Sequence, residues 1–529
     1  MQRSGERSLR KLLAVSVITT MAFTSSVVSQ HVLPLNVVQA SAELEKSLPL
    51  GQANLRETRQ KIVLAPGLTH TRIVRGKQSE KDVYIVDVAF CSTREEAETI
   101  AKRLNKDGYH SRVQRISERA PDAPDHGPLG YLVRVGSFKT EADAIKLRDE
   151  LTAKGYEKLR VVYSGEDGGK TTGPWVVNVL EVDPKQFKGK IVPELGTEIV
   201  PGKEKLSSIA DRTKALAAIN GGYFVMGPND GTEGDLAGVS MIGGNLISEA
   251  VNGRTSFILN KTGAQVAAVE THLSVTASDG AKRELDGLNR KPGLIRGCGG
   301  TGDTTDHPKH DFTCTDTGEL IQFNPIFGQT TEPGDGVEAV LDSAGKVIEI
   351  RDQRGGSIPR EGSVLAGTGD AADWLRIHAK VGAKITVDTQ VLADGSLLQV
   401  DKTTGIVNGG PRLLRDGKVS ITAMAEGFHW TDNPEFFYRF GERRNPRTLA
   451  GVTSDGKILL VTVDGRQPGY SVGASFKESA LIMKSLGATD AVNLDGGGST
   501  TMTIGARLIN RPSDPAGERA DGDAIVILP

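Results

Sequence analysis

The sequence predicts an α+β fold: a mixed, largely antiparallel sheet domain into which a smaller βαββαβ module is inserted. Three observations carry that expectation. Short apolar runs separated by Gly-rich turns dominate from Trp175 onward, helical apolar spacing is confined to a few stretches, and Glu80–Tyr163 repeats one strand–helix–strand pattern twice. The composition agrees, since 63 glycines and 5% aromatics suit a loop-rich β-containing chain better than a helical bundle. At 529 residues, two or more domains are expected.

Residues 1–42 read as an export signal. Arg3, Arg7, Arg10 and Lys11 form a basic start, Leu12–Phe23 is an apolar stretch too short to span a bilayer comfortably, and Ala40-Ser41-Ala42 supplies small residues before Glu43. An uncleaved anchor is the competing reading. The long signal with its extended tail before the cut points to a Gram-positive bacterial origin, no later segment is apolar enough to cross a membrane, and a secreted or cell-wall-associated protein is expected. Residues 43–79 form a linker and a first strand, with Lys61–Gly76 already strand-like.

The module occupies 80–163. Val83–Phe90 alternates like a strand, Thr93–Asp107 carries helical spacing (Ala97, Ile100, Ala101, Leu104), and Ser111–Ile116 is again a strand. After a hinge at Ala120–Gly130 the order recurs as Tyr131–Phe138, Thr140–Lys154 and Lys158–Tyr163. Asp107-Gly108-Tyr109 answers Lys154-Gly155-Tyr156. A Gly/Thr linker (164–174) leads to Trp175–Val182, where strand material resumes, so the module is expected as an insertion rather than an appendage. In 175–529 the helical periods are Leu206–Ala217 and Ser475–Leu486, the latter with an apolar stripe of Ala480, Leu481, Met483 and Leu486.

A net charge of −2 gives no pointer to nucleic acid. Cys298 and Cys314 bracket a Gly/Thr/Asp-rich loop and are able to pair in an oxidising compartment, which leaves Cys91 as a buried, inert thiol.

Three apolar runs end in a polar residue followed at once by glycines. Ala215–Ile219 runs into Asn220-Gly221-Gly222-Tyr223-Phe224, Gly405–Val407 into Asn408-Gly409-Gly410-Pro411-Arg412, and Ala491–Leu494 into Asp495-Gly496-Gly497-Gly498-Ser499-Thr500-Thr501. Glycine after a buried strand lets backbone approach a ligand closely. Three such ends read as the rim of one polar pocket. Unrelated tight turns are the alternative, although a turn has no use for three glycines followed by hydroxyls.

Two resemblances follow from these residues. Tyr131-Leu132-Val133-Arg134-Val135-Gly136-Ser137-Phe138 is similar to the Tyr-x-Val-x-x-Gly-Ser-Phe signature of SPOR modules. That implies a ferredoxin-like βαββαβ domain that binds peptidoglycan glycan strands. The first half departs from the signature at Phe90-Cys91-Ser92, and a module that only packs against its host is the rival. The glycine motifs, with Asn289-Arg290, Pro446-Arg447-Thr448 and Val463-Asp464-Gly465-Arg466, resemble the phosphodiester glycosidases, relatives of the enzyme that uncovers mannose 6-phosphate by removing N-acetylglucosamine. The resemblance implies an exported hydrolase that cleaves sugar 1-phosphodiesters in envelope or extracellular glycopolymers, without a cofactor.

The chemistry can be argued independently. Cleavage at the anomeric carbon passes through an oxocarbenium-like transition state, which needs a carboxylate. The departing phosphomonoester has a second pKa of about 6 and leaves without full protonation. One strong carboxylate and a cation for the phosphate therefore suffice. Asp495 is the expected nucleophile or base, with Gly496, Gly497 and Gly498 aiming N–H groups at an anion and Ser499 and Thr500 adding hydroxyls. Asp464 is the second carboxylate, or a turn residue paired with Arg466. Glu478 orients the site or sits on a solvated helix face. Arg447 is the bidentate phosphate contact. Asn220 and Asn408 would bond sugar hydroxyls, Tyr223 would stack on a sugar ring, and Gly221, Gly222, Gly409 and Gly410 would give close backbone approach. Asn289 and Arg290 complete the binders. Asp303, Asp306, His307, His310 and Asp311 include metal-ligand residue types, but their spacing is ordered for neither zinc nor calcium, and no metal is expected. Two other functions stay open: a glycosidase on a neutral polysaccharide using Asp495 and Asp464, and a non-catalytic wall-binding protein.

Overall fold

Two strands before the module and six after it build an eight-stranded antiparallel sheet. Its order is Glu57–Ala65, Leu68–Arg75, Trp175–Val182, Ile458–Val463, Arg447–Thr453, Ala488–Asn493, Arg412–Arg415, Lys418–Val419. The computed structural model describes residues 47–529 apart from 252, 299–301 and 306. The export segment and Asp306 lie outside the described residues. The single strand expected at Lys61–Gly76 is two, because Gly67 (φ +77°) turns the chain back on itself. Arg75 and Trp175 are register partners, so the chain leaves this sheet and re-enters it at one point.

A five-stranded antiparallel sheet holds Ala217–Asn220 beside the last strand, Asp523–Leu528. A further sheet holds Gly405–Asn408 between Ser240–Ile242 and Thr255–Asn260. Ile219, Val407, Val492 and Leu494, each 0% exposed, meet Leu180, Phe257 and Ile525 in one apolar cluster. Burying each of these side chains is worth roughly 1.5–3 kcal/mol, and the shared cluster fixes the three glycine-bearing strand ends relative to one another.

The module is strand–helix–strand–strand–helix–strand, with antiparallel sheet order Ser111–Ile116, Gly130–Phe138, Tyr84–Cys91, Arg160–Tyr163. Thr93 and Thr140 cap its helices, Arg94–Lys106 and Glu141–Ala153, by accepting from backbone N–H groups three residues on. Val86, Val133 and Val135 pack against those helices. The opposite face is covered by the rest of the chain: Leu132 and Tyr163 join the large cluster containing Phe437 and Tyr438. Arg134, 1% exposed, pairs there with Asp87 at 2.8 Å and Asp167 at 2.6 Å and donates to Tyr438 Oη at 3.0 Å.

Elsewhere the helix expected to reach Ala217 stops at Thr213, because Lys214 adopts a left-handed conformation (φ +56°) and closes it. Helix Gly369–His378 had no counterpart among the expected elements. Cys298 and Cys314 are disulfide-bonded, and Cys91 is free and buried. Among the described residues no helix is long and apolar enough to cross a membrane.

Candidate active site

The three strand ends meet. Asn220 Nδ2 donates to the Asp495 carbonyl at 2.9 Å, its Oδ1 accepts from Thr448 Oγ1 at 2.7 Å and from Thr501 N at 3.1 Å, and Gly410 N donates to Asn493 O at 2.8 Å. Asn408 clamps Tyr223 by accepting from its N–H at 2.9 Å and donating to its carbonyl at 3.2 Å. Gly222 must lack a side chain, since a Cβ there would run into Asn408.

Over this junction lies a cleft of about 430 Å³, within the size range of small-molecule sites. Asp495 and the Gly496–Gly498 backbone form part of its floor, and Arg254, Arg447, His310, Phe436 and Phe440 are among its walls. Asp495 is half-buried, and its Oδ1 accepts from Gly496 N at 2.8 Å. Burial pushes its carboxyl up to about 6, with the Ser499 hydroxyl and Arg519 opposing. Asp521 and Asp523 stand behind it. Burial raises both, and the neighbouring Asp495 charge adds to the effect. Three carboxyls this close do not all ionise together near neutrality. Asp523 is tied to Gly222 N at 2.8 Å, whereas neither Asp521 oxygen makes an aligned hydrogen bond among the described residues.

Two buried guanidiniums oppose this negative group. Arg254, 4% exposed, spends Nε on the Glu426 carbonyl at 3.2 Å, and Nη1 and Nη2 have no hydrogen-bond partner among the described residues. Its guanidinium lies 5.3 Å from the Phe428 ring centroid. Arg447, 2% exposed, donates Nε to Ala474 O at 2.9 Å and Nη2 to Phe440 O, and sits 4.5 Å from the Phe476 ring centroid. Burial lowers Arg447 to about 9. Among the described residues no carboxylate forms an ion pair with either arginine, so an incoming anion would supply countercharge.

Several expected site residues lie elsewhere or do other work. Asp464 is fully buried beneath the cleft, held by Tyr470 Oη at 2.9 Å, Asn510 Nδ2 at 2.9 Å and Arg511 N at 3.2 Å. It is neither a cleft carboxylate nor, among the described residues, the partner of Arg466, because it is buried away from the cleft lining and bonded to these internal donors. Glu478 caps its own helix at Ser475 and pairs with Arg444 at 2.7 Å, which removes it from the site. Asn220 and Asn408 turn their amides inward as described and have none left for sugar hydroxyls. Tyr223 lines the cleft, but His310 covers its ring at 4.1 Å and its hydroxyl donates to Gly410 O at 2.8 Å, so stacking falls to Phe436 and Phe440. Gly221, Gly222, Gly409 and Gly410 serve the packing of the strand ends and do not line the cleft, and Ser499 and Thr500 are buried below it. Asn289 is bonded to Ile247 and Asn324, and Arg290 to Glu249 and Glu319, around a separate cavity of about 70 Å³.

Among the described residues no group of three His, Cys, Asp or Glu side chains is arranged to hold a metal ion. His310 instead packs among Tyr223, Phe428 and Phe440, and burial keeps its imidazole neutral. A larger groove of about 960 Å³, on the Met241–Ile247 side, brings no convergent ionisable set. Sequence reasoning missed Arg254, Asp521 and Asp523. All three flank apolar strands (Thr255–Asn260 and Asp523–Leu528), the same signal that singled out Arg447.

The cleft thus sets one raised carboxyl against two buried arginines. The family model described as phosphodiester glycosidase matches residues 335–528, and the one described as SPOR domain matches residues 127–172. Its residues 335–528 are thus similar to the phosphodiester glycosidase family and its residues 127–172 to the SPOR domain. It is 31% identical to a candidate exported protein of Burkholderia pseudomallei K96243 of known crystal structure, with 93% of this chain and 100% of that chain covered and a TM-score of 0.83. A hypothetical protein from Synechocystis shares the fold, with 18% identity, 90% and 79% coverage and a TM-score of 0.53. The mouse N-acetylglucosamine-1-phosphodiester alpha-N-acetylglucosaminidase is 28% identical over 131 residues, which is 24% of this chain and 25% of that protein. The chain thus spans about a quarter of the length of that curated relative.

Proposed function

We propose that this protein is an exported hydrolase of sugar 1-phosphodiester linkages in cell-envelope or extracellular glycopolymers. Asp495 acts at the anomeric carbon, as nucleophile or as base for water. Arg254 and Arg447 bind the phosphate and stabilise its growing charge as the bond breaks, and Phe436 and Phe440 face the sugar. The observation that carries this reading is the buried Arg254 guanidinium, whose Nη1 and Nη2 have no hydrogen-bond partner among the described residues and which lines the same cleft as Asp495. The proposed division of the chain is a signal at 1–42, a SPOR domain of ferredoxin-like strand order at 80–163 between linkers, and the catalytic domain in the remainder. The SPOR match supports anchoring to peptidoglycan glycan strands. Because one face of the module's sheet is buried, such contact would use its helices, loops or cleft edge.

The test sets a sugar 1-phosphodiester against a neutral aryl glycoside of the same sugar. The full chain should favour the phosphodiester, and Arg254→Gln should lower kcat/KM for it by about 10²-fold or more (roughly 3 kcal/mol) while changing the neutral substrate far less. Equal losses on both substrates would assign the cleft to neutral glycosides instead.

A further inference from the structure

The cleft holds more positive charge than one phosphodiester requires. Seven arginines line it against two aspartates. Arg254 and Arg447 form the buried pair already described. Arg296 is neutralised by Asp230 and Asp311, and Arg519 by Asp514. The remaining cations sit at the mouth. Arg160 is exposed, belongs to the last strand of the inserted module, and has no carboxylate within ion-pair distance among the described residues. Arg439, whose own partner is Glu435, and Arg443 stand close enough to repel it, and Glu435 and Asp87 offset part of that repulsion. Arg466, also exposed, is held by Asn445 Oδ1 at 3.0 Å rather than by a carboxylate, feels the Glu166 and Asp514 charges, and leans on Gly497, two residues from Asp495. Unbalanced like charges at a cleft mouth disfavour the empty site and attract a second anion.

We infer that the cleft mouth is a second anion subsite, completed by Arg160 of the inserted module, that holds a further phosphate of a polymeric substrate while the scissile one lies at Arg254 and Arg447. This rests on the phosphodiesterase reading above and narrows it to chains of successive sugar-phosphate units. It also gives the module a task at the site: it is a fixed wall of the cleft, held there by Arg134, and supplies a specificity-determining side chain.

The experiment uses the full chain, a sugar 1-phosphodiester with one phosphate, and an oligomer of at least two sugar 1-phosphate units. The wild type should prefer the oligomer in kcat/KM by tenfold or more. Arg160→Ala should remove most of that preference and Arg160→Glu should reverse it, chiefly through KM, whereas Lys102→Glu on the exposed face of the module's first helix should leave it intact. Binding of the same oligomer to Asp495→Asn, with and without Arg160→Glu, separates the subsite from catalysis. Loss of affinity by tenfold supports the subsite even if the wild type cleaves neither substrate, a result that would overturn only the catalytic reading. Unchanged preference and unchanged affinity in Arg160→Glu would overturn the subsite.

Discussion

Asp495 differs from an ordinary aspartate because partial burial raises its carboxyl and the nearby Asp311 charge adds to the effect. Its carboxyl, pushed up to about 6, carries charge only above that pH. As a nucleophile or base it must be charged, so kcat/KM should rise with pH through about 6 and level off above it. A pH–rate profile of the purified protein checks this, and an acid limb near the ordinary aspartate value would place the working carboxyl elsewhere. Linkage gives the opposite trend for stability. A carboxyl whose folded pKa is raised favours the native state at low pH, and that contribution is lost as pH rises through about 6. The site therefore works best where its own charge costs the fold most.

At the scale of elements, the strand ends act as one junction pinned by Asn220, which bonds Asp495, Thr448 and Thr501 at once. Asn220→Ala leaves the Thr501 N–H buried without its acceptor and should cost about 1–3 kcal/mol of stability, read as a lowered Tm, together with reduced turnover. An unchanged Tm would mean that the junction relaxes around the loss. Much of this level was legible in the sequence. Ser111–Ile116 and Trp175–Val182 fall where the sequence predicts strands, and the Asn-Gly-Gly and Asp-Gly-Gly-Gly ends converge as their composition suggests. Side-chain direction was not legible. A strand-end Asn reads alike whether its amide faces a ligand or the protein, and Asp464 looks like a site carboxylate until Asn510 and Tyr470 are seen beneath the cleft. Arg254 was hidden because nothing local marks which charged residue will lose its partner on folding.

At the scale of the whole molecule, the inserted module shares a hydrophobic core with its host and is not a bead on a linker. Arg134 is the polar centre of that contact, tied to Asp87 within the module and to Asp167 and Tyr438 beyond it. Arg134→Leu would leave the Asp87 and Asp167 carboxylates without their buried countercharge. It should destabilise the whole chain by about 3–5 kcal/mol, with the module and its host melting in one lowered transition. Two separated transitions, with the upper one at the wild-type Tm, would instead make the module an independent unit. All these features serve a single claim, that Asp495 performs the chemistry on an anionic glycoside held by arginines. Its most direct test is release of free sugar from a sugar 1-phosphodiester by wild type and by Asp495→Asn, with folding of both checked by their Tm. The account predicts loss of turnover by about 10³-fold or more in a folded variant that still binds the substrate; a folded Asp495→Asn protein that turns over at the wild-type rate would contradict it.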